Sequence, residues 1–402
     1  MEKINEDNLI LEKYVFDRSE IERRMNDGGF NSISRFELFI WDLEMFLQIQ
    51  QELGDKIILK GGAATQFYLP ITAQRTSVDI DMLCLASKEE VKKAIEHIEK
   101  RLGGESNVFK FVPYEPQNPR INLEDLNTYH IEIPSICNES ELFITKGHQH
   151  VKIEFLYTQG EYLINKIREP ELFALETEKV FNVLALEQLF ADKLTTLGPN
   201  TIGIPNNRID EQFKQVYDVV SLFISNIEHI LGSTGEIKKQ YEKVARVESE
   251  IHNIEYNFEL IYEDMQVLIK SIEAIEEDKE MLQRALDFQG LYLRRIVNRD
   301  KDGWAIVAFQ IDLLVQYIFE QRDTILMYDN VVQLLKSLEF ENIRGPEKGK
   351  MFSRIRTILR ENFGTDKSDR LFVKKFDRII WEVLQDYDYQ ILRESLSEIL
   401  AY

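Results

Sequence analysis

The amino-acid sequence predicts an α+β fold, in which a mixed sheet with flanking helices is followed by an α-helical domain. Over residues 55 to about 160, short apolar runs typical of strands alternate with a helical stretch. Residues 235 to 402 carry apolar side chains at helical spacing almost throughout. A glycine pair and an aspartate pair stand close together in the strand-rich part. We therefore expect two domains, residues 1–230 with the functional site and residues 231–402.

The first domain is expected to begin with helices and to continue into the sheet. Residues 1 to about 50 have apolar side chains at helical spacing. Ile57 to Leu59 is an apolar run typical of a strand, and we expect a helix from Ala63 to Leu69. Another helix is predicted around Lys88 to Leu102.

Prolines interrupt the segment from 104 to 150, where the sequence predicts only short strands such as His130 to Ile133. His150 to Tyr157 alternates apolar and polar residues, as a strand does. From Lys179 onward the pattern becomes helical, and a loop rich in glycine and proline interrupts it at Gly198 to Pro205.

The second domain carries no catalytic motif. From Glu236 to Leu286, apolar residues that include Val247 and Ile254 recur at intervals of three and four. This spacing predicts one apolar stripe along a helical hairpin or an extended helix. Aromatic residues further on, among them Trp304 and Trp381, are interpreted as the core of a helical bundle rather than as a base-stacking surface.

The glycine pair Gly61-Gly62 directly follows the first predicted strand. Because glycine lacks a Cβ, backbone amides at such a strand-to-helix turn can approach an anion closely. We expect this turn, with Ala63, to bind phosphate groups. Lys60 is a weaker candidate for phosphate binding, since its side chain alternates against Leu59 and is expected to face solvent.

Asp79 and Asp81 lie on the next predicted strand, where Val78, Ile80 and Met82 alternate with them. The two carboxylates therefore share one face of the strand, about 6 to 7 Å apart. Unpaired charges on a buried strand are costly, and oxygen ligands suit Mg²⁺ or Mn²⁺. The pair therefore predicts metal-assisted phosphoryl chemistry on a nucleotide such as an NTP.

Arg75 and Ser77 precede Asp79 by four and two residues. Ser77 shares the strand face of Asp79 and Asp81, so its hydroxyl is placed to bind a phosphate or a metal-bound water. Arg75 is expected either to bind phosphate or to neutralise the carboxylates when no metal is bound.

The order Lys-Gly-Gly-Ala, then Arg-x-Ser-x-Asp-Ile-Asp, resembles the signature of the AbiEii-type nucleotidyltransferases, abortive-infection (phage-defence) toxins of bacterial type IV toxin–antitoxin pairs. The resemblance covers about residues 40 to 225. It implies a core like that of the DNA polymerase β superfamily. It also implies transfer of a nucleoside monophosphate from an NTP to an RNA acceptor, such as a tRNA 3′ end, under the control of a cognate antitoxin.

The resemblance extends to three later residues. It implies a third metal-binding carboxylate on a subsequent strand, for which Glu154 is the candidate, although Lys152 is close enough to pair with it. Lys193, near the end of a predicted helix, matches the family lysine that contacts the triphosphate. Asp218 matches the family's later acid, acting as a base or as a partner that orients the lysine.

Two positions depart from the family pattern. Ala63 follows the glycines where a serine or threonine hydroxyl is usual, and Lys214-Gln215 stands where Arg-Asp is commoner. Loss of the hydroxyl removes one phosphate donor. We interpret the departures as altered substrate handling rather than inactivity.

Composition favours a cytoplasmic protein and no membrane association. The chain has 402 residues, 44% of them apolar, and no apolar run of the length that spans a membrane or of the kind found in signal peptides. Cys84 and Cys137 form neither a disulfide framework nor a zinc motif, which fits a reducing cytosol.

The net charge of −21 opposes general affinity for nucleic acid. An RNA acceptor would therefore need a local basic patch. The candidate cluster, which is interpreted first as a solvated face, comprises Lys348, Lys350, Arg354, Arg356, Arg360, Lys374, Lys375 and Arg378.

Two alternatives remain open from the sequence. The chain is either a nucleotidyltransferase for a cationic small molecule such as an aminoglycoside, which the acidic surface suits, or a catalytically silent nucleotide-binding module that recruits partners.

Overall fold

The computed structural model describes residues 6–103, 108–114, 125–136, 149–337 and 373–386, together with positions 353, 357, 360 and 361. The chain forms two compact units. The first comprises Met1–Met265 and Gln283–Asn298, and the second comprises Gln266–Leu282 and Arg299–Tyr402. The predicted domain boundary at residue 230 stays a prediction. A compact unit of the structure need not be a part of the chain that folds independently.

The first unit contains a mixed sheet of seven strands in the order β3-β4-β5-β2-β1-β7-β6. β2 pairs with β1 antiparallel and with β5 parallel, and β1 pairs with β7 parallel. The remaining neighbours are antiparallel. The strands are β1 Ile57–Lys60, β2 Asp79–Cys84, β3 Phe111–Tyr114, β4 Leu126–Ile133, β5 Gln149–Tyr157, β6 Ile164–Arg168 and β7 Val180–Leu184.

Helices flank this sheet and continue to the end of the described chain. The sequence-predicted helix at Lys88 to Leu102 is confirmed. The helices are α1 Arg18–Gly28, α2 Ile33–Leu53, α3 Gly61–Thr65, α4 Lys88–Leu102, α5 Leu186–Thr195, α6 Ile209–Ser225, α7 Ile227–Gly232, α8 Thr234–Ile251, α9 Phe258–Glu273, α10 Lys279–Tyr292, α11 Lys301–Val315, α12 Thr324–Ser337 and α13 Phe376–Asp386.

Capping and burial account for the two long helices of the first unit that precede β5. The Ser32 hydroxyl caps α2 by accepting from the Arg35 amide, and Gly54 ends the helix with φ 61°. Ser87 and Glu90 form a capping box at the start of α4. The main core joins apolar residues of α2 and α4 to Ile80 of β2 and Ile153 of β5.

Three expectations about elements need correction. Helical structure does not begin at Lys179, because Val180–Leu184 is the strand β7. The helix after the glycines begins at Gly61 instead of Ala63. The predicted stripe from Glu236 onward is broken between α8 and α9, and Val247 and Ile254 are exposed by 42% and 40%.

The second unit is helical in its described part. Trp304 and Trp381 are buried, which confirms their interpretation as core residues. One stretch, Lys301–Glu320, is long and apolar enough to cross a membrane by length and composition, and 72% of its apolar window is buried within the protein. Such burial is typical of a core helix.

Much of the candidate basic cluster lies outside the described residues, namely Lys348, Lys350, Arg354 and Arg356. Of the rest, Arg378 is buried and paired with Asp302 and Glu276, Lys374 pairs with Glu382, and Lys375 pairs with Asp300. Arg378 and Lys374 therefore support the fold of the second unit, while Lys375 and Arg360 are exposed.

Candidate active site

Asp79 and Asp81 lie at the start of the central strand β2, on the face opposite the core residues Ile80 and Met82. Within the described part of the chain, no hydrogen bond or ion pair reaches either carboxylate. Burial, with a further contribution from the charge of Glu154, raises the pKa of Asp81 to about 6. Burial also raises the pKa of Asp79, while Lys152 opposes the shift. The two carboxyls thus carry negative charge that the protein only partly compensates.

The register of the sheet brings Glu154 to this pair. Asp81 is directly opposite Glu154 on β5, and Asp79 is opposite Lys152. The expected pairing of Lys152 with Glu154 is present, at 2.5 Å. Glu154 therefore lies beside the aspartates, with its charge shared with a lysine.

The glycine turn is held against the carboxylates. Gly61 has φ +70°, and a Cβ at this position would lie 2.1 Å from Oδ2 of Asp81. A Cβ on Gly62 would lie 2.8 Å from Nη2 of Arg75 and 3.0 Å from Oγ of Ser77. Glycine is thus required at Gly61 by backbone conformation and at both positions by close packing.

Arg75, Asp218 and Lys193 form a buried charge cluster next to this turn. The guanidinium of Arg75 donates two hydrogen bonds of 2.7 Å to the Asp218 carboxylate and another to the carbonyl of Thr76. Lys193 Nζ lies 2.9 Å from Oδ2 of Asp218. Burial favours a raised pKa for Asp218, but Arg75 and Lys193 outweigh it and the pKa is lowered. Arg75 is thereby committed to Asp218, which fits a positioning role better than phosphate binding.

Gln215, one of the departures from the family pattern, has a defined place in this cluster. Its Oε1 accepts a hydrogen bond of 2.8 Å from Nζ of Lys193. The amide and Asp218 together fix the lysine head group. Ala63, the other departure, is 1% exposed in α3, so its methyl group packs in the core.

Lys60 does not face solvent as expected. Its Nζ pairs with Asp192 of α5 at 2.7 Å, and only 14% of its side chain is exposed. Glu248 of α8 lies within electrostatic range of this pair. Burial raises the pKa of Glu248 to about 7, while Lys60 opposes that rise. Lys60 is therefore paired with one acidic group and lies within electrostatic range of a second.

Sequence reasoning missed Asp42 of α2, which is 1% exposed and has two carboxylate oxygens without a hydrogen-bond partner in the described structure. Burial and then the charges of Asp79 and Asp81 raise its pKa well above the ordinary value. The sequence does contain a signal for Asp42, because it is an acidic residue within the apolar run that forms α2. Asp192 and Glu248 had no comparable signal, since both stand in ordinary charged helices.

The donor set fits a hard divalent cation. Asp79 and Asp81 offer carboxylate oxygens without hydrogen-bonded partners, Glu154 is directly opposite Asp81, and burial disfavours their charged forms until a cation compensates them. Among the described side chains, no three histidines, cysteines or carboxylates already converge as a complete metal site. The carboxylates are gathered on one sheet face without being closed into a cage.

Comparison with known proteins identifies the family. A model of the family "Nucleotidyl transferase AbiEii toxin, Type IV TA system" matches residues 46–296, more than half of the chain. Comparison with curated proteins gives no significant match.

Two solved structures show distant likeness. MenT4, a nucleotidyltransferase toxin from Mycobacterium tuberculosis H37Rv, has 12% sequence identity and a TM-score of 0.37 over 57% of this chain and 70% of that one. A structure from H. pylori assigned as a nucleotidyltransferase has 15% identity and a TM-score of 0.27, over 60% of this chain and 98% of that one. The assignment rests on the family match and not on these likenesses. The chain belongs to the AbiEii nucleotidyltransferase toxin family of type IV toxin–antitoxin systems.

Proposed function

We propose that this nucleotidyltransferase toxin transfers a nucleoside monophosphate from an NTP to RNA in a metal-dependent reaction, with a tRNA 3′ end as the first acceptor to test. The observation that supports the reaction most directly is the pair of half-buried and only partly compensated carboxylates, Asp79 and Asp81, next to a buried lysine-arginine cluster. The family implies an NTP substrate and an antitoxin partner.

In this proposal Asp79, Asp81 and Glu154 hold Mg²⁺ or Mn²⁺. When bound there, the cation would supply Lewis-acid chemistry, offsetting charge on the triphosphate and on the attacking oxygen of the acceptor. Because metal binding requires deprotonated carboxylates, the raised pKa values of Asp79 and Asp81 make metal affinity rise with pH. Glu154 would share its charge between the cation and Lys152, with which it pairs at 2.5 Å.

The remaining groups position the triphosphate. Gly61 and Gly62 bring the backbone of the turn close to the metal-binding side chains, and Ser77 lies beside Gly62. Lys193 supplies a positive charge whose location Asp218 and Gln215 fix. We propose the orienting role for Asp218 rather than that of a base, because a carboxyl with a lowered pKa accepts protons poorly.

A gel assay with radiolabelled NTPs tests the proposal. Wild-type protein is incubated with total cellular RNA and each NTP, and label is expected in a discrete RNA band. Asp79→Ala and Asp81→Ala are each expected to lower incorporation about 1000-fold or more, as loss of several kcal/mol of charge stabilisation predicts. Asp55→Ala is the control, since Asp55 is an exposed aspartate paired with Lys166.

Because the protein is acidic, a cationic small molecule is tested as a competing acceptor. A net charge of −21 favours a cationic small molecule, so aminoglycosides are incubated with NTP and weighed by mass spectrometry. A gain of one nucleoside monophosphate on an aminoglycoside, with no label on any RNA, would show that the proposed acceptor is wrong. Full incorporation by both Asp79→Ala and Asp81→Ala would show that the proposed site is wrong.

A further inference from the structure

The sheet face that carries the candidate metal ligands extends, through the pairing of β2, β5, β4 and β3, to the β3 edge. Directly paired residues on neighbouring strands point to the same face. The register therefore defines two rows across four strands. One row is Asp81, Glu154, Thr128 and Tyr114, and the other is Asp79, Lys152, His130 and Val112.

The outer end of these rows is exposed and rich in rings. Tyr114 and Val112 on the edge strand β3 are exposed by 42% and 58%. The Tyr114 ring stacks on that of His130 with a centroid distance of 4.6 Å and an angle of 13°. His150, exposed on β5, lies 6.3 Å from His130. We call Tyr114, His130, His150 and Val112 the edge platform.

Polar groups connect the edge platform to the carboxylates. Lys152 is directly between Asp79 and His130, and it provides a positive charge on this face. Thr128 is directly between Glu154 and Tyr114. Its hydroxyl is buried and has no hydrogen-bond partner in the part of the chain that the structure describes. A buried hydroxyl without a partner beside an exposed ring is an unfilled hydrogen-bonding position.

We propose that the edge platform and the two rows bind the single-stranded 3′ end of the acceptor, with an unpaired base on Tyr114 and the backbone passing Lys152 toward Asp79 and Asp81. This inference rests on the proposed function and names the surface that presents the acceptor. Exposed rings on an open sheet face are a recurrent means of holding unpaired bases, because every base offers a flat face for stacking.

The dimensions and charge of this face agree with a short single strand. Three strand spacings separate β3 from β2, or about 14 Å. Stacking gives affinity that depends little on charge, which suits a protein with a net charge of −21. Lys152, whose charge is shared with Glu154, gives a local contact for phosphate between the two rows.

Binding of a fluorescent single-stranded RNA oligonucleotide, measured by anisotropy in EDTA without NTP, separates acceptor binding from catalysis. Tyr114→Ala is expected to raise the Kd about 5- to 150-fold, the range for loss of one stacked base. Tyr114→Phe retains the ring and is expected to bind like the wild type. Tyr14→Ala is the matched control, since Tyr14 is an equally exposed tyrosine, at 45%.

Transfer assays on the same variants distinguish failure of this inference from failure of the proposed function. The expected result is a raised KM for RNA in Tyr114→Ala, with the KM for NTP unchanged. If wild type labels RNA and Tyr114→Ala matches Tyr14→Ala in both Kd and KM, the edge platform is not the acceptor surface, although the proposed function stands. If wild type labels no RNA, the proposed acceptor is wrong and this surface has no role in presenting it.

Discussion

At the scale of one residue, substitution of Gly61 tests how closely the glycine turn packs against Asp81. Gly61→Ala places a methyl group where Asp81 Oδ2 lies 2.1 Å away and also strains a backbone with φ +70°. We expect loss of about 1 to 3 kcal/mol in unfolding free energy and loss of most transfer activity, because Asp81 must move. Urea unfolding and the labelled-NTP assay measure the two effects.

Gly54 offers a matched control for Gly61. It has φ +61° and nothing within 4 Å of an added Cβ, so Gly54→Ala brings similar backbone strain without a clash. Gly54→Ala is expected to lose about 1 to 3 kcal/mol of stability, because its backbone lies at φ 61° and ψ −135°, and to keep its activity. Equal losses of activity in the two variants would show that the close approach to Asp81 is not important.

Asp42 allows a prediction about pH. Burial, and then the charges of Asp79 and Asp81, hold its folded-state pKa above that of the unfolded chain. Its contribution to stability is therefore lost as pH rises from about 4 toward the folded pKa. Asp42→Asn cannot ionise, so its advantage over wild type should grow from pH 5 to pH 8, to about 1 to 3 kcal/mol.

Urea unfolding in EDTA at both pH values measures this difference. Asp55→Asn is the control, for which no change relative to wild type is expected between these pH values, because the hydrogen bond from Lys166 lowers the pKa of Asp55 and its contribution is complete above about pH 5. A lower stability of Asp42→Asn than of wild type at pH 8 would contradict the prediction. It would mean that the charged carboxylate has a partner in solution.

The same residues show how far local sequence can predict the site. Strand alternation was sufficient to place Asp79 and Asp81 on one face, since side-chain direction follows directly from position along a strand, whereas the place of Glu154 beside them depends on the pairing of β2 with β5. The partners of the cations were not predictable in this way. Arg75 and Asp218 are 143 residues apart, and Lys60 and Asp192 are 132 apart, so only the tertiary fold brings each pair together.

At the scale of elements, the errors have two physical causes. β7 is a short apolar run, Val180–Leu184, followed almost at once by α5, and a fully buried strand has the same composition as a buried helix segment. In α8 the buried face includes Gln240 and Ser249 along with Tyr241 and Ala245. Polar and small residues pack against α5 there, so an apolar stripe read from the sequence gives the wrong face.

The elements that were predicted well carry strong local signals. α4 has a capping box at Ser87 and Glu90 and a clear apolar face, and its predicted limits match those observed. β5 alternates along its length and β2 alternates from Asp79 to Met82, because one face meets the core and the other carries the site. The order of the strands in the sheet depends on long-range pairing, which no local pattern encodes.

At the scale of the whole molecule, the charge of −21 predicts an unusual response to salt. An acidic protein and RNA repel each other over the Debye length, which shrinks to about 10 Å at 0.1 M salt. If stacking on the edge platform supplies most of the local affinity, screening this repulsion should outweigh the loss of a few phosphate contacts. We therefore expect the KM for RNA to stay constant or fall as NaCl rises from about 20 to about 200 mM at fixed Mg²⁺.

A cationic aminoglycoside should show the reverse, because salt weakens its attraction to the protein. A steep rise in the KM for RNA would instead indicate a basic patch as the acceptor site, and would direct attention to the arginines and lysines between Lys348 and Arg360.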